Sequence, residues 1–324
     1  MMDLFIPEHF FDEEEREGFT VPPMMKRCWA TKLKMLAAVD EICMRHGIRY
    51  YVDYGTLLGA ARHRGFIPWD DDIDISMLRE DYNRALPILR QELPETYEVF
   101  VFGENLFTAP WSYLNNRRGW DYGDNEEQAR ITAQFYGDPY CETLDLFPLD
   151  YVPANEEERE VFLEIHQLLF DVILQKKEAE EQGILEDLIF QIRELTGQEI
   201  PMGEKMLPSL CRLESALAQM YTRGQSVGIN NIGNMARYDR GKIRDFEWYE
   251  RTIRIPFEMI EVPVPIGYRE IITSIFGQNW TMPVRGTAAH EYPCYQRQER
   301  VIRDYWDRKG KPRPDPLGNT IPSE

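Results

Sequence analysis

Between Met24 and Gly47 apolar residues recur at helical intervals, with Leu33, Leu36, Ala37, Ile42 and Cys43 on one stripe and Gly47 as a stop. That spacing predicts a helix. The run Ile48-Arg49-Tyr50-Tyr51-Val52 is short, aromatic and β-branched, which suits a strand. Gly55 and the small residues Gly59-Ala60-Ala61 then predict a turn and a second helix from Thr56 to about Arg64, broken by Gly65-Phe66-Ile67-Pro68. Asp72-Ile73-Asp74-Ile75-Ser76-Met77 alternates polar with apolar and predicts a strand with one polar and one buried face. A helix is expected over 80–92 and a strand over 97–102. Residues 103–140 show little periodicity and read as a long irregular segment, and 143–147 form a short strand stopped by Pro148.

From Asn155 the pattern changes. Asn155 and Glu158 make a helix-capping pair, and Val161, Ile165, Leu168, Leu169, Val172 and Ile173 form one helical stripe. Leu185-Leu188-Ile189-Ile192 and Leu210-Leu213-Leu217-Met220 repeat that spacing, so 155–225 is a helical section. Strand and loop signals return over 229–265. Residues 268–276 look helical up to Gly277, and the Pro/Gly-rich stretch from Arg308 reads as a loose tail.

The chain has 324 residues, a net charge of −19, and 43% apolar and 29% charged residues, a globular composition. The acidic balance excludes general nucleic-acid binding, which draws on clustered Lys and Arg. Five cysteines without a C-x-x-C pair make neither a disulfide framework nor a zinc ribbon. No basic leader with an apolar core opens the sequence, and no run approaches the roughly 18 apolar residues of a membrane span. A cytoplasmic protein with reduced thiols is the expectation.

The chemistry concentrates at Asp70-Asp71-Asp72-Ile73-Asp74. On a strand Asp72 and Asp74 share a face while Ile73 and Ile75 enter the core. Two carboxylates about 4.5 Å apart at an effective dielectric near 20 repel by roughly 3 to 4 kcal/mol, and a divalent cation removes that penalty. All-oxygen ligands select Mg²⁺ or Mn²⁺. A calcium loop is excluded because Ile75 stands where it requires glycine. Upstream, Gly55-Thr56 at a helix start is suited to approach phosphate. A third carboxylate is expected on a neighbouring strand; Asp145 fits, with Asp150 as the competing candidate. Trp111, Tyr113, Trp120 and Tyr122 either form an aromatic cage for a quaternary ammonium or fill the core. Arg117-Arg118 between them either meets a phosphate or is surface charge.

The stretch from Gly55 to Asp74, G-T-L-L-G-A-A-R-H-R-G-F-I-P-W-D-D-D-I-D, resembles the core motif of the LicD family of phosphocholine transferases, to which the fukutin-type transferases are related. Residues 142–153 resemble the family's third-acid strand, and 262–285 with His290 its C-terminal block. The resemblance implies an α+β fold: a nucleotidyltransferase-like core with a small mixed β-sheet and flanking helices over 24–153, a helical insertion over 154–226, completion of the catalytic domain over 227–306 and a flexible tail over 307–324. It implies transfer of phosphocholine or a related phospho-alcohol from a CDP-linked donor to a glycan or teichoic-acid hydroxyl. Asp72, Asp74 and Asp145 would be catalytic residues and metal ligands, and Gly55, Thr56, Arg62, His63 and Asp70 would bind the nucleotide or its phosphates. An acceptor presented on a lipid would bring peripheral membrane contact. The alternatives are a nucleotidylyltransferase acting on a small molecule and a catalytically silent nucleotide-binding module.

Overall fold

The computed structural model describes residues 4–104, 111–238, 240–285 and 292–312. His290 and most of the proposed tail lie outside them. A short hairpin, β1 (Glu14–Arg16) and β2 (Phe19–Val21), leads into helix α1 (Pro23–His46). Pro23 suits the first helical turn, where a missing N–H costs nothing, and Gly47 ends the helix with φ 60°. Trp29, Leu33, Leu36, Val39 and Ile42 of α1 are buried, and Trp29 stacks on Phe66 at 4.7 Å.

Strand β3 (Tyr51–Val52) occupies only the end of the run read as a strand, and helix α2 (Tyr54–His63) follows at once, capped by Asp53. Strand β4 (Asp74–Leu78) and helix α3 (Arg79–Glu92) come next. The expected polar face of β4 is not solvated: Ser76 is fully buried and donates its hydroxyl to Asp53 Oδ2 at 2.5 Å. A sheet covered on both faces turns such a side chain inward, where it needs a partner.

The segment expected to be irregular carries regular structure around its undescribed part. Strand β5 (Glu98–Phe100) pairs with β6 (Ser112–Asn115), and helix α4 (Glu126–Gln134) starts at Asn125, whose side chain caps it. Strand β6 holds one face of β7 (Thr143–Pro153), a strand of 11 residues that runs straight through Pro148. Pro148 does not stop it because β4 stays paired through it, Met77 opposite Pro148, while on the other edge the β6 pairing ends at Leu146 and the pairing with β8 (Ser226–Asn230) begins at Asp150. The sheet order is β3-β4-β7-β6-β5, with β8 on the far half of β7; β4 and β7 are parallel and the other pairs antiparallel.

The helical section is α5 (Glu156–Glu181), α6 (Leu185–Thr196) and α7 (Met206–Ala218), packed about Leu169, Val172, Ile173, Ile189, Ile192 and Leu210. Asn155 accepts from the Glu158 amide at 2.9 Å, the expected cap. Within the block read as strands and loops lies a further helix, α8 (Ile232–Tyr238), before the hairpin of β9 (Thr252–Phe257) and β10 (Ile260–Pro265). Helix α9 (Tyr268–Phe276) matches its expected bounds, and α10 (Gln296–Lys309) closes the described chain. Ile302 and Trp306, one turn apart on α10, are buried; Trp306 Nε1 donates to the Tyr122 carbonyl at 2.5 Å, and the Gln298 amide bonds the Cys141 backbone. The architecture is α+β.

Candidate active site

The acidic cluster is assembled by strand register. Asp74 opens β4 directly opposite Asp145 on β7, neighbours in a parallel pair, and the Asp145 amide donates to the Ile73 carbonyl at 3.0 Å. Asp72 precedes Asp74 by two positions and follows the same alternation. Thr56 holds the strand start: its hydroxyl accepts from the Asp74 amide at 2.9 Å. Gly55 has a different task, since a Cβ there would lie 2.5 Å from Asp70 Oδ2. The glycine lets the Asp70 carboxylate press against the helix start.

These carboxylates stand in one another's field. Burial raises the Asp74 pKa well above its ordinary value, and the charges of Asp72, Asp145, Asp70 and Asp53 push it further. Asp70 is raised by burial first and then by Asp72 and Asp71. Such a set of oxygen donors fits a hard divalent cation, which would relieve both burial and mutual repulsion.

Asp150 is not available for this work. It is buried, and Arg79 donates to its two oxygens at 2.6 Å each in a bidentate pair. Of the two carboxylates left open by the sequence, only Asp145 reaches the cavity beside Asp72 and Asp74.

That cavity has a volume of about 590 Å³. Asp71, Asp72, Asp74 and Asp145 form one wall, while Tyr54, Trp111 and Phe147 line it with aromatic surface. Phe147 lies 5.2 Å from Trp111 and 5.4 Å from Tyr54, ring centre to ring centre. The aromatic lining therefore differs from the group named from sequence. Trp111 belongs to it, but Tyr113 stacks on Phe100 at 4.7 Å, and Trp120 and Tyr122 pack with Tyr305 under α10. Arg117 is buried too, donating to Thr132 Oγ1 and the Asp138 carbonyl, whereas Arg118 is exposed.

Arg62 and His63 sit at the opposite end of α2 from Gly55. Arg62 donates to His63 Nε2 and to the Trp280 carbonyl, both at 2.9 Å, and His63 Nδ1 is 3.5 Å from Glu17. Burial and then the Arg62 charge lower the His63 pKa. Neither residue is among the cavity's lining residues. Gly267 and Tyr268 lie at the start of α9, and Arg285 stands 4.6 Å from the Phe19 ring.

Sequence reasoning missed the cations and amides of the cavity: Lys32, Lys242, Arg244, Asn230 and Asn234. Arg244 is fully enclosed, donates to Asp53 Oδ2 at 2.6 Å and to the Tyr249 hydroxyl at 3.0 Å, and lies 5.3 Å from the Tyr54 ring. Asn234 donates to the Tyr54 hydroxyl at 2.9 Å. No local signal marks them, because they come from segments distant in sequence from the acids they face.

Comparison with known proteins bears out the resemblance over the core. Residues 47–158 match the family described as LicD/FKTN/FKRP, nucleotidyltransferase domain. The chain is 46% identical over 67 residues to the lipopolysaccharide cholinephosphotransferase LicD of Haemophilus influenzae, 21% of this chain and 25% of that protein. It is 40% identical over 65 residues to the mouse ribitol 5-phosphate transferase FKRP, 20% of this chain and 13% of that protein. An uncharacterized protein of Rickettsia typhi is 39% identical over 61 residues, 18% of this chain and 20% of that protein. The matched stretch thus spans a quarter or less of each relative. Among the described residues no helix is long and apolar enough to cross a membrane.

Proposed function

Because residues 47–158 match the LicD-type nucleotidyltransferase domain, we propose that this chain moves a phospho-alcohol group, phosphocholine foremost, from a CDP-linked donor to a hydroxyl of a glycan or teichoic-acid precursor. The observation that carries the reading is the meeting of an acidic wall and an aromatic lining in one cavity. Asp72, Asp74 and Asp145 would hold Mg²⁺ or Mn²⁺, with Asp70 beside them. Bound there, the cation supplies charge neutralisation for the donor's phosphates. Asp145, half-buried at the cavity surface, takes the proton of the acceptor hydroxyl. Thr56 and Gly55 keep the acids in position through the Asp74 amide and the Asp70 carboxylate.

Choline is favoured over ribitol or glycerol by Trp111 and Phe147, whose ring faces attract a quaternary ammonium. The reading is tested by thermal stabilisation with CDP-choline, CDP-ribitol, CDP-glycerol and CTP, with and without Mg²⁺. CDP-choline with Mg²⁺ is expected to give the largest shift and to release CMP slowly. Equal shifts without metal, or none with any CDP compound, would overturn it. Pyrophosphate released from CTP and phosphocholine would identify nucleotidyl transfer instead.

Trp111→Ala is expected to weaken CDP-choline binding about 10- to 30-fold, the loss of one desolvated cation–π contact, while leaving CDP affinity within about twofold. Calorimetry with both ligands separates the effects. Equal weakening of CDP would mean that Trp111 shapes the cavity and does not recognise choline.

A further inference from the structure

Helix α1 buries two lysines, Lys26 and Lys32, and Lys32 is the one at the cavity. It is 1% exposed on the helix's inward side and lines the same cavity as Asp72, Asp74 and Asp145. Its ammonium is ion-paired with Glu142 and stands 3.9 Å from Cys294 Sγ. Around it lie further groups that ordinarily collect cations. Cys28, Asp138 and Glu142 bring ligand atoms within 4.8 Å of one another, Asp138 Oδ2 is buried with no partner, and Cys294 Sγ is 3.5 Å from Glu142 Oε2. A metal is the first occupant to consider. The ammonium already fills that role, since it is paired with Glu142, the central member of the group.

Burying a lysine is costly, and one salt bridge to Glu142 rarely recovers the cost. The position of its partners is more informative. Glu142 lies three residues before Asp145 on the way into β7, and Asp71, which accepts from the Cys294 amide at 2.5 Å, directly precedes Asp72. Lys32 is thereby tied to the start of both acid-bearing segments. An ammonium has three donors. Lys32 pairs with Glu142, stands 3.9 Å from Cys294 Sγ and lines the cavity, so its ammonium is within that wall when an anionic ligand enters.

The other cavity cations have partners away from the two acid-bearing segments. Arg244 serves Asp53 and Tyr249, and Lys242 donates to the Ile275 carbonyl at 3.2 Å. We propose that Lys32 is a built-in second cation of this centre, one that binds an anionic oxygen of the donor's diphosphate beside the acidic wall. The proposal rests on the phosphate-transfer reading above and adds a residue to it. A fixed ammonium in this place does for the ligand part of what a second metal ion does in two-metal sites, with no dependence on metal supply.

The experiment measures binding of inorganic pyrophosphate, CDP and cytidine, each with Mg²⁺, to the wild-type chain and to Lys32→Met. Pyrophosphate and CDP are expected to weaken roughly 30-fold, as for loss of a charge-assisted hydrogen bond, while cytidine stays within about twofold. A merely structural lysine would move all three ligands or none. If Lys32→Met does not fold because Glu142 is stranded, Lys32→Met/Glu142→Gln removes the unpaired charge and carries the same measurement. Pyrophosphate affinity within about threefold of wild type in a folded variant would overturn the proposal, as would parallel loss of cytidine. Wild-type protein that binds pyrophosphate but not CDP would overturn the nucleotide reading alone, with Lys32 then judged on pyrophosphate. Binding of neither would overturn both.

Discussion

Asp74→Asn is expected to abolish transfer, by at least about a thousandfold, and at neutral pH to make the metal-free protein more stable than wild type. Both effects have one cause. The Asp74 carboxylate is buried opposite Asp145, and burial together with the charges of Asp72, Asp145 and Asp70 raises its pKa well above the ordinary 3.8. A raised folded-state pKa means that the folded chain holds this proton more tightly than the unfolded chain. The associated stability is complete below about pH 3.8 and is lost as pH climbs through the folded value. Wild-type protein without metal should therefore lose stability as pH rises from about 4, and the asparagine variant should lose less. Saturating Mg²⁺ should reverse the order, stabilising wild type increasingly with pH and the variant little. Melting temperatures at pH 5 and 8, with Mg²⁺ and with a chelator, read this directly. An asparagine variant that melts below metal-free wild type at pH 8, or that retains full activity, would remove Asp74 from the centre.

Arg244→Met should be the most destabilising single change near the cavity, by about 3 to 5 kcal/mol, because it strands a buried charge. Asp53 is 2% exposed, and its carboxylate has three partners. The Tyr54 amide donates to Oδ1 at 2.8 Å, and Ser76 Oγ and the Arg244 guanidinium donate to Oδ2 at 2.5 and 2.6 Å. One side chain thus caps α2, pins β4 and anchors the segment after α8. Removing the guanidinium leaves an acid in a dry site with two neutral donors. The double variant Asp53→Asn/Arg244→Met is expected to recover most of the loss, since an uncharged amide keeps hydrogen bonds without the desolvated charge. Urea midpoints for the two single variants and the double variant close the cycle. If the double variant is no more stable than Arg244→Met, the guanidinium acts mainly by packing on Tyr54.

Much of the core could be read along the chain because its signals are local. Helix α1 announces itself by a stripe and a stop glycine, α9 by another, and α5 by the Asn155 cap. The D-x-D alternation names a strand and a chemistry together. Where reading failed, partners distant in sequence decided. Pro148 would end an isolated strand, yet β7 continues because β4 stays paired with it from Asp145 to Leu149, while the gap between β6 and β8 on the other edge tolerates the missing N–H. Strand β6 was hidden because its residues match no simple alternation; Tyr113 stacks on Phe100 and Ser112 bonds to Tyr82. Helix α10, with two buried anchors among charges, reads as polar until the groove that takes Ile302 and Trp306 exists.

The same division holds at the site. Residue order alone predicted that Asp72 and Asp74 share one face, because side chains alternate sides along an extended backbone; both line the cavity, although β4 itself begins at Asp74. It also carried the resemblance of the Gly55–Asp74 stretch to the LicD family, although Gly55 and Thr56 lie within α2 and not in a turn before it. Only the fold decided that Asp145 and not Asp150 joins them, since the choice depends on parallel register with β4 and on Arg79 occupying Asp150. It likewise decided that Trp111 faces the cavity while Trp120 does not, and that Lys32 and Arg244 stand near the acids. Periodicity reports which way a side chain points from its own segment; what it meets there depends on chain brought in from far away.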